Sequence, residues 1–208
     1  MMTASVQGLL IHQIVYPLTV LGPGTRVGIW FQGCTIHCPE CIAPETWEFD
    51  ETTFIDFQDL KKKLHDYQKF QPDGITISGG EPFDQPQGLI IFLTMLREMG
   101  FSSVMVYSGY PFEFLRKTFI SHLDLIDILV SEPFQYKEND TKLWRGSDNQ
   151  IIHLLSKRAK QEYNEDEMNE LRYPEQRSLQ IIQNPDSIFI AGIPKRADLD
   201  KLRNFAKK

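Results

Sequence analysis

The chain has 208 residues and a net charge of −6; 41% of it is hydrophobic, 24% charged and 12% aromatic. That is the composition of a soluble globular chain, long enough to bury a core without disulfides or a structural metal, and it excludes wholesale disorder. Net acidity argues against a basic surface that tracks nucleic-acid phosphates, and the longest strictly apolar run, five residues at 89–93, is far short of a membrane span.

The first strand signal is 27–31 (VGIWF), which leads straight into a run holding all three cysteines, Cys34, Cys38 and Cys41. Helical spacing follows, with Phe57, Leu60, Leu64 and Tyr67 on one face and Lys61, Lys62, Lys63 and Asp66 on the others. A second strand is expected at 75–78 (ITIS). Asp84 reads as the N-cap of a helix through Leu89, Phe92, Leu93 and Leu96 that stops at Gly100. A third strand is expected at 104–107 (VMVY), then a helix opened by Pro111 through Leu115 to Phe119, then a fourth strand at 126–130 (IDILV). Near-continuous apolar strands alternating with helices predict an α/β fold with a mostly parallel sheet. The pattern then changes. Residues 156–177 are polar with few apolar anchors and read as an inserted, exposed helix or mobile segment. Beyond them, 179–182 and 188–190 flank Asn184-Pro185-Asp186, a turn between two short strands, and a basic helix is expected from Arg196. Residues 1–208 read as one domain.

An odd, tightly clustered set of cysteines does not make a secreted disulfide framework, and no basic flank with a long apolar stretch opens the chain. The expected compartment is reducing and cytoplasmic. Cys34-Thr-Ile-His-Cys38-Pro-Glu-Cys41 is a C-x3-C-x2-C run directly after a strand. Three thiolates on one loop can hold three irons of a cubane 4Fe–4S cluster and leave the fourth open to a substrate or cofactor. The alternative is zinc, which needs a fourth ligand such as His37 or a distant histidine. The C-x3-C step and the missing fourth cysteine weigh towards the cluster. His12, His65, His122 and His153 lack spaced partners and read as structural or solvated. His37, inside the loop, is placed to tune a cluster by hydrogen bonding. Trp30, Phe31 and Trp47 read as core packing.

The C-x3-C-x2-C run after the first strand resembles the signature of radical S-adenosylmethionine (SAM) enzymes. Ser78-Gly79-Gly80-Glu81-Pro82 resembles the same family's strand-end motif, with glycines for close backbone approach and a glutamate to accept from an ammonium. Four further stretches resemble the small activases of glycyl radical enzymes: Gly22-Pro23-Gly24-Thr25-Arg26, Pro44-Glu45-Thr46-Trp47, Tyr107-Ser108-Gly109-Tyr110, and Trp144-Arg145-Gly146-Ser147-Asp148-Asn149-Gln150. The run at 188–194 (IFIAGIP) also resembles that group. The resemblance implies a partial, open (β/α) barrel with a short C-terminal strand pair and helix. It implies a 4Fe–4S cluster on Cys34, Cys38 and Cys41, whose open iron chelates SAM. One electron from the cluster would cleave SAM to methionine and a 5′-deoxyadenosyl radical, which abstracts hydrogen from a backbone glycine of a partner enzyme, foremost an anaerobic ribonucleotide reductase.

The resemblance also implies site roles. Gly79, Gly80 and Glu81 would take the methionine end of SAM, Glu40 and Ile42 would lie near the adenine, and Ser108 and Gly109 near the ribose. Arg145, Ser147 and Asn149 would lie near the SAM carboxylate or the partner's peptide. A flavodoxin or ferredoxin-type protein would supply the electron. Three departures stand out: Glu40 before the third cysteine, Ile42-Ala43 after it, and Ser131-Glu132 after the fourth strand. They keep open a radical SAM enzyme for a small molecule or peptide, such as a 7-carboxy-7-deazaguanine synthase or a peptide maturase. A non-catalytic iron–sulfur or zinc module is the remaining alternative.

Overall fold

The structure, a computed structural model, describes residues 6–174, 178–183, 188–196 and 198. Strands β1 (Gly8–Leu18), β2 (Arg26–Phe31), β3 (Phe54–Asp56), β4 (Gly74–Gly79), β5 (Val104–Tyr107), β6 (Ile128–Ser131) and β7 (Ile151–Leu154) form one sheet in the order β3-β1-β2-β4-β5-β6-β7. At its centre β2, β4, β5 and β6 are parallel neighbours. Strands β1 and β3 extend one side antiparallel, and β7 closes the other side antiparallel to β6. Strands β8 (Gln180–Gln183) and β9 (Ile188–Ala191) make a separate antiparallel pair. The helices are α1 (Phe57–Gln68), α2 (Pro86–Glu98), α3 (Phe112–Thr118), α4 (Ile120–Leu123), α5 (Lys157–Glu162) and α6 (Glu165–Glu170). The fold is α/β, a mixed sheet with a parallel centre of four strands and a separate short C-terminal strand pair. The turn expected at Asn184-Pro185-Asp186 lies outside the described residues, as does nearly all of the helix expected from Arg196.

Period-two alternation sorts the strands' side chains between two faces. Val27, Ile29 and Phe31, Ile75 and Ile77, Val104 and Val106, and Leu129 join Leu60, Leu64, Leu89, Phe92, Leu93 and Leu96 of α1 and α2 in one buried cluster. The residues between them in sequence point to the inner face. There Met105, Ile128 and Val130 pack with Ile152 and Leu154, and Trp30 packs with Val15, Leu18 and Leu21.

Arg26, only 1% exposed, staples the amino ends of β2, β4 and β5. Its Nε donates to Thr76 Oγ1 at 2.7 Å and its Nη2 to the Ile75 carbonyl at 2.7 Å, with further bonds to Pro23 and Ser103. Burial lowers its pKa to about 10, so the guanidinium stays charged at neutral pH while carbonyls and hydroxyls satisfy it.

The polar stretch from 156 onward is not a loose decoration. Ser156 caps α5 by accepting from Ala159 N–H and donates its hydroxyl to buried Asp127 at 2.5 Å. Two anchors suffice for this pair of short helices, Ala159 and Met168, both buried against the inner-face cluster. Helix α6 lies along the free edge of β7. Asn169 accepts from Ile152 N–H at 3.0 Å and donates to Ile152 O at 2.8 Å, and Glu165 accepts from Leu154 N–H at 2.6 Å. These side chains take the bonds that a next strand would take, which protects the edge.

Other expectations are corrected by the fold. Strands β1, β3 and β7 lack the near-continuous apolar runs that marked the four parallel strands. Helix α2 begins after Gln85 with no side-chain cap; Asp84 ends a 3-10 turn, Pro82–Asp84, and its carboxylate is turned towards the cysteine loop.

Asn169 also accepts from Arg145 Nη1 at 2.9 Å. Asn169→Ala therefore strands two backbone groups and part of a buried guanidinium, and urea unfolding should show a loss of about 1–3 kcal/mol. Unchanged stability would mean that α6 is not holding the edge.

Candidate functional site

The cysteine loop starts where β2 ends, and its base is fixed by backbone bonds. Gly33 N–H donates to Thr46 O at 2.8 Å and Cys34 N–H to Trp47 O at 2.9 Å, pinning the loop to the short turn Pro44–Thr46. On the other side Gly80 N–H donates to Phe31 O at 2.8 Å and Glu81 N–H to Gly33 O at 2.9 Å. A Cβ at Gly79 would lie 2.5 Å from Phe31 N, and one at Gly80 would lie 2.2 Å from Gly33 O. The two glycines are therefore required by the contact between the two strand ends, with Gly79 also at φ +102°. His37 and Glu40 take positive φ where the loop doubles back. The exposed His37 ring stacks on Trp47 with centroids 4.7 Å apart.

A cavity of about 220 Å³ opens at the carboxyl ends of the parallel strands, where α/β sheets hold ligands. Cys34, Cys38 and Cys41 line it together with Ile42, Gly79, Gly80, Glu81, Ser108 and Gly109. None of the three is in a disulfide, and all are half-buried. Burial pushes the Cys34 and Cys38 thiols up from the ordinary value. Among the described residues no three His, Cys, Asp or Glu side chains form a ready-made single-ion site. The donor set, three thiols with no fourth cysteine in the chain, suits three irons of a 4Fe–4S cluster. At the wall, Trp47 Nε1 and Tyr107 Oη are buried without a hydrogen-bond partner among the described residues, polar capacity that a polar ligand can use.

Glu81 is 2% exposed. Its Oε1 accepts from Phe83 N–H at 3.0 Å and from the Ser108 hydroxyl at 2.9 Å, and its Oε2 accepts from Gly109 N–H at 2.8 Å. The carboxylate thus ties the end of β4 to the end of β5, and of about four acceptor positions one, on Oε2, is left. Burial outweighs the three donors and pushes its pKa up to about 8.

Not every expected residue reaches the cavity. Glu40 is exposed on the loop and outside the lining. Arg145 and Ser147 are fully buried elsewhere. The Arg145 guanidinium donates to the carbonyls of Met168 and Asn169 and to Asn169 Oδ1. Ser147 Oγ accepts from Gln135 N–H at 3.0 Å, and Asn149 Nδ2 donates to Pro133 O at 2.9 Å. These three build the wall behind the cavity, and their neighbours Gly146 and Gln150 face it. Sequence reading assigned no site role to Tyr107, Phe189, Gly192 or Pro194, which also line it, and set Trp30 and Trp47 down as packing. The run at 188–194 was the one available signal for the β9 side of the wall.

The 4Fe-4S single cluster domain family matches residues 20–153. The chain is 32% identical over 152 residues to the anaerobic ribonucleoside-triphosphate reductase-activating protein of Salmonella typhimurium, covering 69% of this chain and 97% of that one. The protein of that name from Escherichia coli K12 is 32% identical over 154 residues, with the same shares. The pyruvate formate-lyase-activating enzyme of Clostridium pasteurianum is 34% identical over 145 residues, covering 66% of this chain but 60% of that one. Among solved structures, QueE from Escherichia coli overlaps 49% of this chain and 53% of its own at 21% identity and a TM-score of 0.42, too loosely to bear on fold or chemistry.

The native Glu81 carboxyl lies above its ordinary value of 4.5, at about 8, so the folded chain holds a proton that the unfolded chain releases. The stability this contributes is full below the lower value and is lost as pH rises through the upper one. In cofactor-free protein, Glu81→Gln should lose less stability than wild type between about pH 5 and about pH 8. Urea unfolding at both ends measures this, and parallel trends for the two proteins would contradict it.

Proposed function

The chain belongs to the 4Fe-4S single cluster domain family and is a radical SAM enzyme of the glycyl-radical activase group, and from that membership we propose that it activates an anaerobic ribonucleotide reductase. The observation that carries the choice of partner is length. The chain spans 97% of the reductase-activating relatives but 60% of a pyruvate formate-lyase-activating one, so it matches the smaller type nearly end to end. Residues 1–208 act in this reading as one radical SAM domain, in a reducing, cytoplasmic setting that suits three cysteines outside any disulfide. No helix among the described residues is long and apolar enough to cross a membrane.

The cofactors are a 4Fe–4S cluster and SAM. Cys34, Cys38 and Cys41 hold three irons in this proposal. Once bound, the cluster supplies one electron to SAM, which yields methionine and a 5′-deoxyadenosyl radical that takes a hydrogen atom from a glycine Cα of the partner. The chain's own residues do the rest. Gly79 and Gly80 bring the end of β4 against the base of the cysteine loop, so that both sides of the site meet. Glu81 keeps its last acceptor position for the methionine ammonium. Ser108 and Gly109 hold Glu81 in place from β5 and border the ribose, and Ile42 gives an apolar edge beside the adenine. Leu21, Trp30 and Phe189 give the cavity lining an apolar patch, which limits water around a reactive species. A flavodoxin or ferredoxin-type protein supplies the electron.

The test is anaerobic electron paramagnetic resonance on the reconstituted, reduced protein mixed with SAM and an anaerobic ribonucleotide reductase from the same organism. A SAM-dependent glycyl-radical signal is expected on the reductase, and Cys38→Ala should abolish it together with the bound iron and sulfide. A cluster signal that SAM perturbs, with no glycyl radical formed, would reject the reductase as partner and move the activity to another substrate.

A further inference from the structure

In place of capping a helix, the Asp84 carboxylate bridges two other segments. Its Oδ2 accepts from the backbone N–H of Thr35 at 2.6 Å and its Oδ1 from the Tyr110 hydroxyl at 2.6 Å. Thr35 Oγ1 lies 3.1 Å from the same Tyr110 oxygen and closes the triangle. Each corner has a neighbour in the cavity. Thr35 follows Cys34, Tyr110 follows Gly109, and Asp84 lies one short 3-10 turn after Glu81. Burial and the Asp84 acceptor push the Tyr110 phenol up to about 12, so at neutral pH it remains a donor. The backbone bonds at Gly33 and Cys34 fix the base of the cysteine loop. The Thr35 bond holds its first turn from the opposite side.

We infer that Asp84 and Tyr110 are positioning residues: the Thr35–Asp84–Tyr110 triangle fixes Cys34, and the metal-binding side of the loop with it, in register with the ends of β4 and β5 where SAM binds. The inference rests on the cluster and SAM reading of this cavity. A clasp that served stability alone would alter unfolding and leave ligand affinity untouched. A positioning triangle has a different signature, because the cluster assembles and SAM then meets a loop and a strand end that no longer share one register.

The experiment compares wild type, Tyr110→Phe, Asp84→Ala and Asp84→Asn after anaerobic reconstitution. It measures iron and sulfide content, melting temperature, and the SAM concentration that half-perturbs the reduced-cluster resonance. Tyr110→Phe keeps the ring that packs on Phe114 at 5.0 Å and should take up iron as wild type does, yet bind SAM about tenfold more weakly, the lower end of outer-sphere effects. Asp84→Ala should show at least the same loss. Asp84→Asn should restore most of the affinity, since the amide oxygen accepts from Thr35 and the amide nitrogen donates to the phenol oxygen, preserving the triangle without its charge. Wild-type SAM affinity in both Tyr110→Phe and Asp84→Ala, with only the melting temperature moved, would overturn the inference. So would Asp84→Asn binding as weakly as Asp84→Ala, which would assign the effect to charge. A wild-type protein that binds neither cluster nor SAM would overturn the underlying reading, and that failure is visible before any variant is made.

Discussion

The contact on which the site depends is one of backbone against backbone. Gly80 sits so close to Gly33 that a single methyl group on it would lie 2.2 Å from the Gly33 carbonyl oxygen. Two amide bonds run across this contact, and a third ties Gly33 to the turn beyond it. The base of the cysteine loop is thereby clamped between the end of β4 and residues 44–47, and the Gln32 side chain adds bonds to the Glu45 and Glu48 carbonyls. Main-chain bonds of this kind hold geometry more tightly than long side chains, which must first give up rotamer entropy. The part of the loop that carries the thiols can then remain half-exposed and turn through positive φ at His37 and Glu40.

The rest of the fold supplies the two surfaces this clamp needs. One sheet face is packed by α1 and α2 around a buried apolar cluster. The inner face is built from smaller and more polar residues between the large ones: Gly28, Thr76 and Ser78 beside Trp30, Met105 and Tyr107. Gly28 is set by its neighbours, since a Cβ there would meet the Trp30 ring at 2.5 Å. This mixture leaves a cavity at the carboxyl ends while Arg26 fills the amino ends. The sheet then stops at β7, where Asn169 and Glu165 occupy its edge.

Much of this was legible in the sequence, for a physical reason. Strands covered on both faces are near-continuous apolar runs, so the four parallel strands could be read directly, and the cysteine spacing and the Gly-Gly-Glu strand end located two sides of the cavity. The antiparallel strands of the sheet were not legible: β1 is broken by His12, Gln13 and Pro17, β3 has three residues, and β7 is broken by His153 within four. The surroundings of Arg145 were not legible, because an arginine in a short polar motif looks the same whether it binds an anion or backbone carbonyls. What distinguishes the two is that α6 folds back to bury it, and Ala159 and Met168 are too few and too small a signal to announce that. Asp84 was misread by the same logic. An aspartate before a helical pattern is usually a cap, and only the three-dimensional approach of Thr35 and Tyr110 gives it a different partner.

Glu81 joins these strands of argument. Three donors, Phe83 N–H after β4 and the Ser108 hydroxyl and Gly109 N–H after β5, would normally make a carboxylate strongly acidic, yet near-complete burial outweighs them and leaves the group neutral around pH 7. Without a cation beside it, a protonated Glu81 can donate from the Oε2 position that its protein partners leave open. An ammonium set against that position reverses the balance, because an opposite charge at close range favours ionisation and the proton leaves as the cation arrives. The same residue that links β4 to β5 is thereby responsive to a positively charged group in the cavity, and in the proposed function the ammonium of the methionine end of SAM would be such a group. Structure and recognition then share one carboxyl: its protein bonds fix its place, and its burial makes its charge conditional on what binds.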